Sequence, residues 1–178
     1  MSGLNPNDFS TCFHIRRLNE HDLPIIYSLM KGNPLFYKYC GRECNETDIL
    51  DDMKNLPPQK IMEDKYYVGF FEKNDTSEIS KEKQTLVAVL DLIDGYPDEK
   101  TAFIGFFMLN NAFQGKGIGT QIISELSSYL KTYGFEKIRL GIDKSNPQSN
   151  AFWKKNAFST IKEVEFENGI IIVAQKVL

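Results

Sequence analysis

Two features of the sequence combine residue types and spacing that suit chemistry. The first is the turn Gln114-Gly115-Lys116-Gly117-Ile118-Gly119-Thr120, which contains three glycines. Glycines remove the β-carbons that would hold a ligand away from the backbone, and the amides at the start of a helix attract anions. The turn therefore predicts a pyrophosphate cradle built from main-chain N–H groups, with side-chain contacts from Lys116 and Thr120.

The second feature is Asp91, which interrupts the apolar run Leu86–Ile93. A carboxylate in so apolar a strand needs a partner or a function, and burial would raise its pKa towards a useful range. Asp91 is therefore the candidate general base. The alternative is structural, with Asp91 capping a loop or pairing with a buried arginine such as Arg16 or Arg139, and the sequence leaves both interpretations open.

The neighbouring elements place the glycine turn between a strand and a helix. Strand Thr101–Leu109 precedes it, and Gly134 fits a left-handed cap at the end of the helix that follows. Apolar residues at helical spacing mark that helix, namely Ile118, Ile122, Leu126, Tyr129 and Tyr133. A dinucleotide fingerprint would have Gly or Ala at Thr120, and a P-loop would end in Gly-Lys-Ser/Thr, so both of those phosphate motifs fit less well.

The whole chain predicts one α/β (α+β) domain over residues 1–178, with the order β-α-α-β-β-β-α-β-α-β-β. Three consecutive strands, 66–71, Leu86–Ile93 and Thr101–Leu109, should form an antiparallel meander, because the loops between them are too short for crossover helices. The other predicted elements are a strand at 13–18, helices at 23–30 and from Thr47 or Asp48 to Leu56, an irregular aromatic stretch at 34–44, a strand at 137–142, a helix at 148–156, and a hairpin of strands 160–166 and 170–176 around Glu167-Asn168-Gly169.

Composition narrows the function classes. The chain has 178 residues, of which 42% are hydrophobic and 25% charged, and its formal net charge of −3 argues against nucleic-acid binding. The polar residues 1–10 predict no secretory signal, and no apolar run is long enough for a membrane span. Cys40-x-x-x-Cys44 could form half a metal site, but zinc needs about four ligands and the two histidines have no suitable spacing, so no metal site is predicted. The odd number of cysteines, three, favours reduced thiols in the cytoplasm.

Two motifs resemble those of the GNAT acetyltransferases. Gln114-x-x-Gly117-x-Gly119 resembles the Q/R-x-x-G-x-G/A signature that holds the coenzyme A pyrophosphate in that family. Asn146-x-x-Ser149-x-x-Phe152-Trp153-x-x-x-Ala157-Phe158 resembles the second signature, N-x-x-A-x-x-F/L-Y-x-x-x-G-F, at the same spacing. The resemblance extends from about Leu86 to the C-terminus and implies the GNAT fold, a central mixed, mostly antiparallel sheet flanked by helices.

The resemblance also implies where acetyl-CoA binds. In the family, the strand before the glycine turn and the strand after its helix splay apart, and the pantetheine arm lies in the gap. Carried over, this assigns the arm to the main chain of Phe107, Met108 and Leu109, and the mouth of the gap to Asn146. The remaining coenzyme residues implied by the two motifs are Gln114, Gly115, Lys116, Gly117, Ile118, Gly119, Thr120, Ser149 and Trp153.

Two departures from the family pattern affect the predicted chemistry. Strand Thr101–Leu109 lacks the usual Glu, and Trp153 replaces the usual Tyr, whose proton-donating role an indole cannot take over. Tyr96, Tyr129 or Tyr133 is a candidate replacement for that Tyr, unless the thiolate leaves unassisted. The acceptor residues are predicted to be Phe36, Tyr37, Tyr39 and Tyr96, although the first three could instead close the core.

These expectations together predict an N-acetyltransferase. Acetyl would pass from acetyl-CoA directly to a primary amine of a small molecule or peptide within a ternary complex. The alternative is a GNAT-fold module that binds or senses acyl-CoA with little or no catalysis. A homodimer is compatible with either function.

Overall fold

The computed structural model describes residues 3–73, 84–166 and 169–178. Within these ranges the chain forms seven strands, which are β1 Phe13–Arg17, β2 Lys65–Glu72, β3 Leu86–Ile93, β4 Thr101–Leu109, β5 Lys137–Asp143, β6 Ser159–Phe166 and β7 Gly169–Val177. It also forms five α-helices, which are α1 Leu23–Lys31, α2 Pro34–Cys40, α3 Glu46–Lys54, α4 Ile118–Tyr133 and α5 Pro147–Lys155. The predicted β6–β7 hairpin is present, but its turn residues Glu167 and Asn168 lie outside the described ranges.

The strands form one sheet in the order β1-β2-β3-β4-β5-β7-β6. Neighbouring strands are antiparallel except for β4 and β5, which are parallel. The mixed, mostly antiparallel sheet with flanking helices is therefore confirmed, as is the β2-β3-β4 meander. Among the described residues, no helix is both long and apolar enough to cross a membrane.

Both faces of the sheet are covered, and β3 is buried along its whole length. Leu90 and Leu92 belong to the apolar cluster that includes α4 and Trp153 of α5. Val89 belongs to a second cluster on the other face, with α1 and α3. Because side chains alternate across a strand, Asp91 shares the face of Val89 and lies on the side of α1 and α3. The near-continuous hydrophobicity of β3 is explained by its place inside the sheet, where both of its faces are covered.

One predicted element is wrong, since residues 34–40 form helix α2 rather than an irregular stretch. Pro34 occupies the first turn, where its missing N–H does not matter, and Gly41 ends the helix in the left-handed region with φ of 67°. The start of α3 also differs from the prediction. Asn45, rather than Thr47 or Asp48, caps this helix, and its side-chain oxygen accepts a hydrogen bond from the Asp48 N–H at 2.8 Å.

The centre of the sheet contains two irregularities that shape the site. β4 pairs with β5 only where Thr101–Ile104 lies beside Lys137–Leu140, so the rest of β4 has no strand partner on that side among residues 3–73, 84–166 and 169–178. The register with β3 also shifts, because Asp91 lies opposite Phe106 whereas Leu92 lies opposite Ile104. Gly105 is therefore an extra residue in β4, a β-bulge of the kind that bends a strand and often adjoins active sites.

Candidate active site

A cavity of about 350 Å³ lies where β4 and β5 separate. The second half of β4, the glycine turn, the start of α4, the facing residues of β5 and one side of α5 line it. Leu140 and Gly141 contribute the β5 side. The structure therefore brings together two segments that the sequence analysis assigned to one ligand, residues 107–109 and 114–120.

The glycines of the turn have two different roles. Gly115 and Gly117 have φ of 73° and 81°, and a β-carbon at either position would meet nothing within 4 Å. Their backbone is therefore open to a ligand in a conformation that L-residues rarely adopt. Gly119 instead lies in α4, where a β-carbon would stand 3.1 Å from Cε2 of Phe152. Only Gly115 and Gly117 form the open cradle, whereas Gly119 permits close packing of α4 against α5.

Two polar side chains of the turn make contacts within the protein. Gln114 donates from Nε2 to Oδ1 of Asn33 at 2.6 Å and to the carbonyl of Leu109 at 3.1 Å. Lys116 donates to the carbonyl of Ala112 at 2.8 Å. Gln114 thus connects the end of β4 to the segment that follows α1. A direct contact between Lys116 and a phosphate stays a prediction.

Four residues of the second motif line the same cavity, namely Asn146, Ser149, Phe152 and Trp153, and the first two also stabilise the start of α5. Asn146 is the N-cap of α5, and its Oδ1 accepts from the N–H of Ser149 at 3.0 Å. This capping accounts for the pair structurally, independently of any ligand. A coenzyme contact from Asn146 or Ser149 stays a prediction.

Trp153 is buried within a group of aromatic rings on the α5 side of the gap. Its ring centroid lies 5.0 Å from that of Phe152, 5.0 Å from that of Phe158 and 6.0 Å from that of Phe107. Phe107 in turn stacks on Phe152 at 5.9 Å. The side chain of Phe107 therefore packs in this cluster, which leaves its main chain to form the edge of the gap.

The cradle and gap fit an acyl-coenzyme A. The α4 N-terminus presents unpaired amides and a positive dipole end beside two glycines without side chains, an arrangement suited to a diphosphate. The part of β4 that has no strand partner offers main-chain groups to an amide-containing arm. Among the described residues, no group of three or more His, Cys, Asp or Glu side chains could hold a metal ion.

A second, larger cavity of about 1100 Å³ adjoins the first. Four residues line both cavities, namely Phe36, Gly105, Phe106 and Gly141. Tyr37 and Tyr39 of α2 also line the second cavity, where Phe36 meets Phe106 edge to face at 5.7 Å. The aromatic residues predicted for the acceptor thus lie beside the splayed strands, although their role in binding stays a prediction.

Carboxylates outnumber cations on the wall of the second cavity. Four aspartates line it, Asp48, Asp52, Asp91 and Asp143, together with the cations Arg42 and Lys144. Lys144 is already paired with Glu163 at 2.7 Å. The cavity therefore favours a positively charged occupant.

Asp91 is the most buried of these carboxylates, and it has one cationic partner. Its Oδ2 lies 2.7 Å from Nζ of Lys65, whose side chain is 1% exposed. Its Oδ1 is buried and has no hydrogen-bond partner among the described residues. Burial raises the pKa of Asp91 to about 6, although the Lys65 charge acts in the opposite direction. A carboxyl group with that pKa is ionised at neutral pH and can still accept a proton.

Neither arginine considered as a partner of Asp91 takes that role. Arg16 forms a two-bond pair with Asp22, and Arg139 donates to Gln175 at 2.8 Å. Lys65 was missed because lysine is almost never fully buried, so a lysine at the start of a strand is expected to face water. The sequence did indicate that Asp91 needs such a partner, because a buried carboxylate requires a nearby cation or hydrogen-bond donor.

The three tyrosines considered as proton donors lie elsewhere. Tyr96, which was also predicted to contact the acceptor, lies in the β3–β4 turn and packs edge to face on Phe103 at 5.4 Å. It lines neither cavity, because this turn joins the ends of β3 and β4 opposite the gap. Tyr129 accepts a hydrogen bond from the Asn5 N–H, and its ring centroid lies 5.9 Å from that of Tyr133, also outside both cavities. The predicted role of Tyr96 in the acceptor site is therefore not supported by its position.

Comparison with known proteins agrees with this fold. The profile of the acetyltransferase (GNAT) family matches residues 43–158, and the chain belongs to this family. The resemblance inferred from the two motifs is therefore confirmed.

An N-acetyltransferase of Bacillus subtilis (strain 168), YobR, whose function is uncharacterised, is 31% identical over 83 residues. The match covers 47% of this chain and 32% of that protein, so it spans about a third of the relative's length.

Solved structures of acetyltransferases share the fold. An acetyltransferase from Thermus thermophilus has a TM-score of 0.71 at 18% identity, with 93% of this chain and 97% of that chain covered. The PaiA N-acetyltransferase of Thermoplasma acidophilum, solved with coenzyme A, has a TM-score of 0.60 at 17% identity and coverage of 93% and 99%. Spermidine N-acetyltransferase of Vibrio cholerae, solved with coenzyme A and spermine, has a TM-score of 0.63 at 17% identity and coverage of 94% and 96%.

Proposed function

We propose that this protein transfers acetyl from acetyl-CoA directly to a primary amine that carries positive charge when free. One observation carries the proposal, which is that the gap between β4 and β5 shares a wall with an acidic cavity, at Gly105 and Phe106. Asp91 lies opposite Phe106 and lines the acidic cavity. An amine in that cavity would therefore lie between a base and the gap assigned to the thioester.

Each part of the site has a task in this reaction. The acetyl thioester supplies the acyl group. Asp48 and Asp52 attract the ammonium form of the acceptor, and Tyr37 and Tyr39 offer ring faces to it. Asp91 takes a proton from the amine, because an ammonium ion has no lone pair with which to attack. The nitrogen then forms a bond to the acetyl carbon as the C–S bond breaks, and the electron pair of that bond leaves with the sulfur. The nitrogen loses its second proton as it becomes a neutral amide, and solvent water relays that proton to the departing thiolate. Asp91 releases the first proton to solvent after the products leave.

Binding and catalysis are tested separately. Coenzyme A at a hundred times its dissociation constant should stabilise the fold by about 2.7 kcal/mol and raise Tm, whereas NAD and ATP should not. Thiol release is then measured with acetyl-CoA and a panel of amines, with uncharged alcohols of matched size as controls. The proposal requires release that depends on the amine and acetylated amine as the product. No shift with coenzyme A would contradict the coenzyme site.

A non-catalytic acyl-CoA sensor is the second candidate, and Trp153 favours it. The indole fills the position where the family motif has Tyr, and it lies buried among aromatic rings. It does not ionise in a useful range, so it supplies no proton to a thiolate. A sensor would show the same thermal shift with coenzyme A but no thiol release with any amine.

A further inference from the structure

Lys65 is the only cation within ion-pair distance of Asp91 in the described part of the chain, and it is more deeply buried than Asp91 itself. Its ammonium donates to Oδ2 of Asp91 at 2.7 Å and to the backbone carbonyl of Asn55 at 2.9 Å. Asn55 is the C-cap residue of α3, the helix that also carries Asp48 and Asp52. One side chain thus connects the acidic helix of the second cavity to the candidate base.

This geometry makes the two oxygens of Asp91 unequal. Oδ2 accepts from Lys65, whereas Oδ1 is buried without a hydrogen-bond partner among the described residues. A buried carboxylate oxygen that accepts no hydrogen bond is unfavourable unless another group donates one to it. Among the described residues, the contact with Lys65 is the one hydrogen bond that this carboxylate accepts, and it holds Asp91 at the wall of the acidic cavity.

We propose that Lys65 is a positioning residue for acetyl transfer, which holds the carboxylate of Asp91 at the wall of the acidic cavity, where that carboxylate takes the acceptor's proton. The inference rests on the proposed function, because it assigns a task to a residue behind the proposed base. Lys65 also keeps Asp91 ionised at neutral pH, since a nearby positive charge favours the carboxylate. Without it, burial would leave Asp91 protonated over a wider pH range.

The other groups around Asp91 do not replace Lys65. Tyr67 lies opposite Asp91 on β2, and its hydroxyl is buried without a partner among the described residues. Burial, with the nearby charges of Asp52 and Asp91, raises the pKa of Tyr67 well above its usual range, so this phenol stays neutral. Asp52 of α3 adds a like charge that raises the pKa of Asp91, and β4 contributes Gly105, which has no side chain.

The test compares Lys65→Met, which removes the charge at similar length, with Lys65→Arg, which keeps it. The pH dependence of kcat/KM for the amine is measured for each variant, together with KM for acetyl-CoA. In Lys65→Met the acidic limb of the kcat/KM profile should move to a pH higher by about one unit or more, as expected when a positive charge beside a carboxylate is removed. In Lys65→Arg it should stay near that of the wild type, and KM for acetyl-CoA should change in neither variant.

Lys54→Met is the matched control. Lys54 lies on α3 and pairs with Glu20 at 2.9 Å on the surface, outside both cavities, so the pH profile should not move. NMR titration of the Asp91 carboxyl carbon supplies a readout independent of turnover. Its midpoint should rise in Lys65→Met and not in Lys65→Arg.

A folded Lys65→Met protein with an unchanged acidic limb and an unchanged Asp91 midpoint overturns the inference. If Lys65→Met does not fold, Lys65→Arg decides whether the inference holds. An upward shift of the acidic limb in this variant, which keeps the charge, also overturns the inference. Absence of thiol release from the wild-type protein with every amine counts against the proposed function instead. The NMR midpoints then still show whether Lys65 controls the ionisation of Asp91.

Discussion

The carboxylate of Asp91 lies against the backbone of Gly105 on the neighbouring strand. A β-carbon at Gly105 would stand 2.6 Å from Oδ2 of Asp91, closer than any real contact of that kind. Gly105 is the bulge residue of β4, and it lines both cavities. The same glycine therefore makes room for the candidate base and forms part of the wall between the two cavities.

Gly105→Ala should displace Asp91 from Lys65. We expect a loss of about 1–3 kcal/mol in the free energy of unfolding, as for overpacking of a core, and a fall in kcat of about a hundredfold. Chemical denaturation and steady-state kinetics measure the two effects. Gly69→Ala is the control on β2, outside both cavities, where a β-carbon would stand 2.8 Å from side-chain atoms of Leu86 and Phe71, so it should lose stability and keep kcat. Equal losses of kcat in the two variants would contradict a specific effect on Asp91.

Gly117→Ala should abolish coenzyme A binding, because its β-carbon would enter the open face of the cradle. The backbone at Gly117 has φ of 81°, so alanine also destabilises the fold by about 1–2 kcal/mol. Gly134→Ala is the matched control at the other end of α4, with φ of 105° and an equally open surface. It should lose similar stability and keep coenzyme binding in a calorimetric titration. Equal coenzyme affinity in both variants would count against the cradle.

Asp91→Asn should lower kcat about a hundredfold or more at neutral pH, the usual contribution of a general base. The acidic limb near pH 6 should disappear, because this is the pKa to which burial raises Asp91. Coenzyme A binding should persist. Since the substitution leaves the Lys65 ammonium buried without its charged partner, the double variant Lys65→Met/Asp91→Asn should regain stability without regaining activity. An unchanged pH–rate profile in Asp91→Asn would remove Asp91 from the mechanism.

Trp153→Phe should retain most of the transfer rate, because the indole is assigned to packing rather than proton donation. Trp153→Ala should lose about 3–5 kcal/mol of stability through the cavity left between Phe107 and Phe158. Thermal denaturation and thiol release distinguish the two effects. A loss of rate in Trp153→Phe without a loss of stability would show that the indole N–H takes part in the reaction.

Asp22→Ala should destabilise the protein in a pH-dependent way. Burial alone would raise the pKa of Asp22, but the two hydrogen bonds from Arg16 and one from the Asn19 N–H hold it below its ordinary value. The contribution of Asp22 is therefore present above the pKa of the unfolded chain and is lost as pH falls through the lower folded value. We expect a loss of about 1–2 kcal/mol at pH 7 that shrinks below about pH 4.

Glu20→Ala is the control for Asp22, because Glu20 lies in the same segment in an exposed pair with Lys54. The stability of this variant should match that of the wild type at pH 7 and at about pH 3, because exposed ion pairs contribute little. A constant difference between Asp22→Ala and the wild type from pH 7 to pH 3 would contradict the assigned ion pair.

The sequence was sufficient to predict the helices and strands that have strong local signals. β3 and β4 occur at the predicted residues, because continuous apolar runs bounded by turn formers define buried strands. Gly134 ends α4 in the left-handed region as predicted, with φ of 105°. Helix α2 was missed because its aromatic residues have no clear period, and its boundaries depend on Pro34 and Gly41 alone.

The parts of the site that depend on distant contacts were not predictable in this way. The Lys65–Asp91 pair joins residues on β2 and β3, and only the register of those strands brings them together. Tyr96 was assigned to the acceptor by residue type, but the meander puts its turn at the other end of the sheet. The compartment, the assembly state and the acceptor itself stay predictions, because none of them follows from local patterns.

The short pairing of β4 with β5 has a consequence for dynamics. In the described part of the chain, strand pairing between the meander and the last three strands is confined to Thr101–Ile104 and Lys137–Leu140, so few ladder hydrogen bonds connect the two portions of the sheet. A bound ligand that pairs with the open edge of β4 would restrain this junction, and local opening there would become rarer. Amide hydrogen exchange along residues 105–109 would then slow with coenzyme present, and the stiffness of the protein would alternate with each turnover.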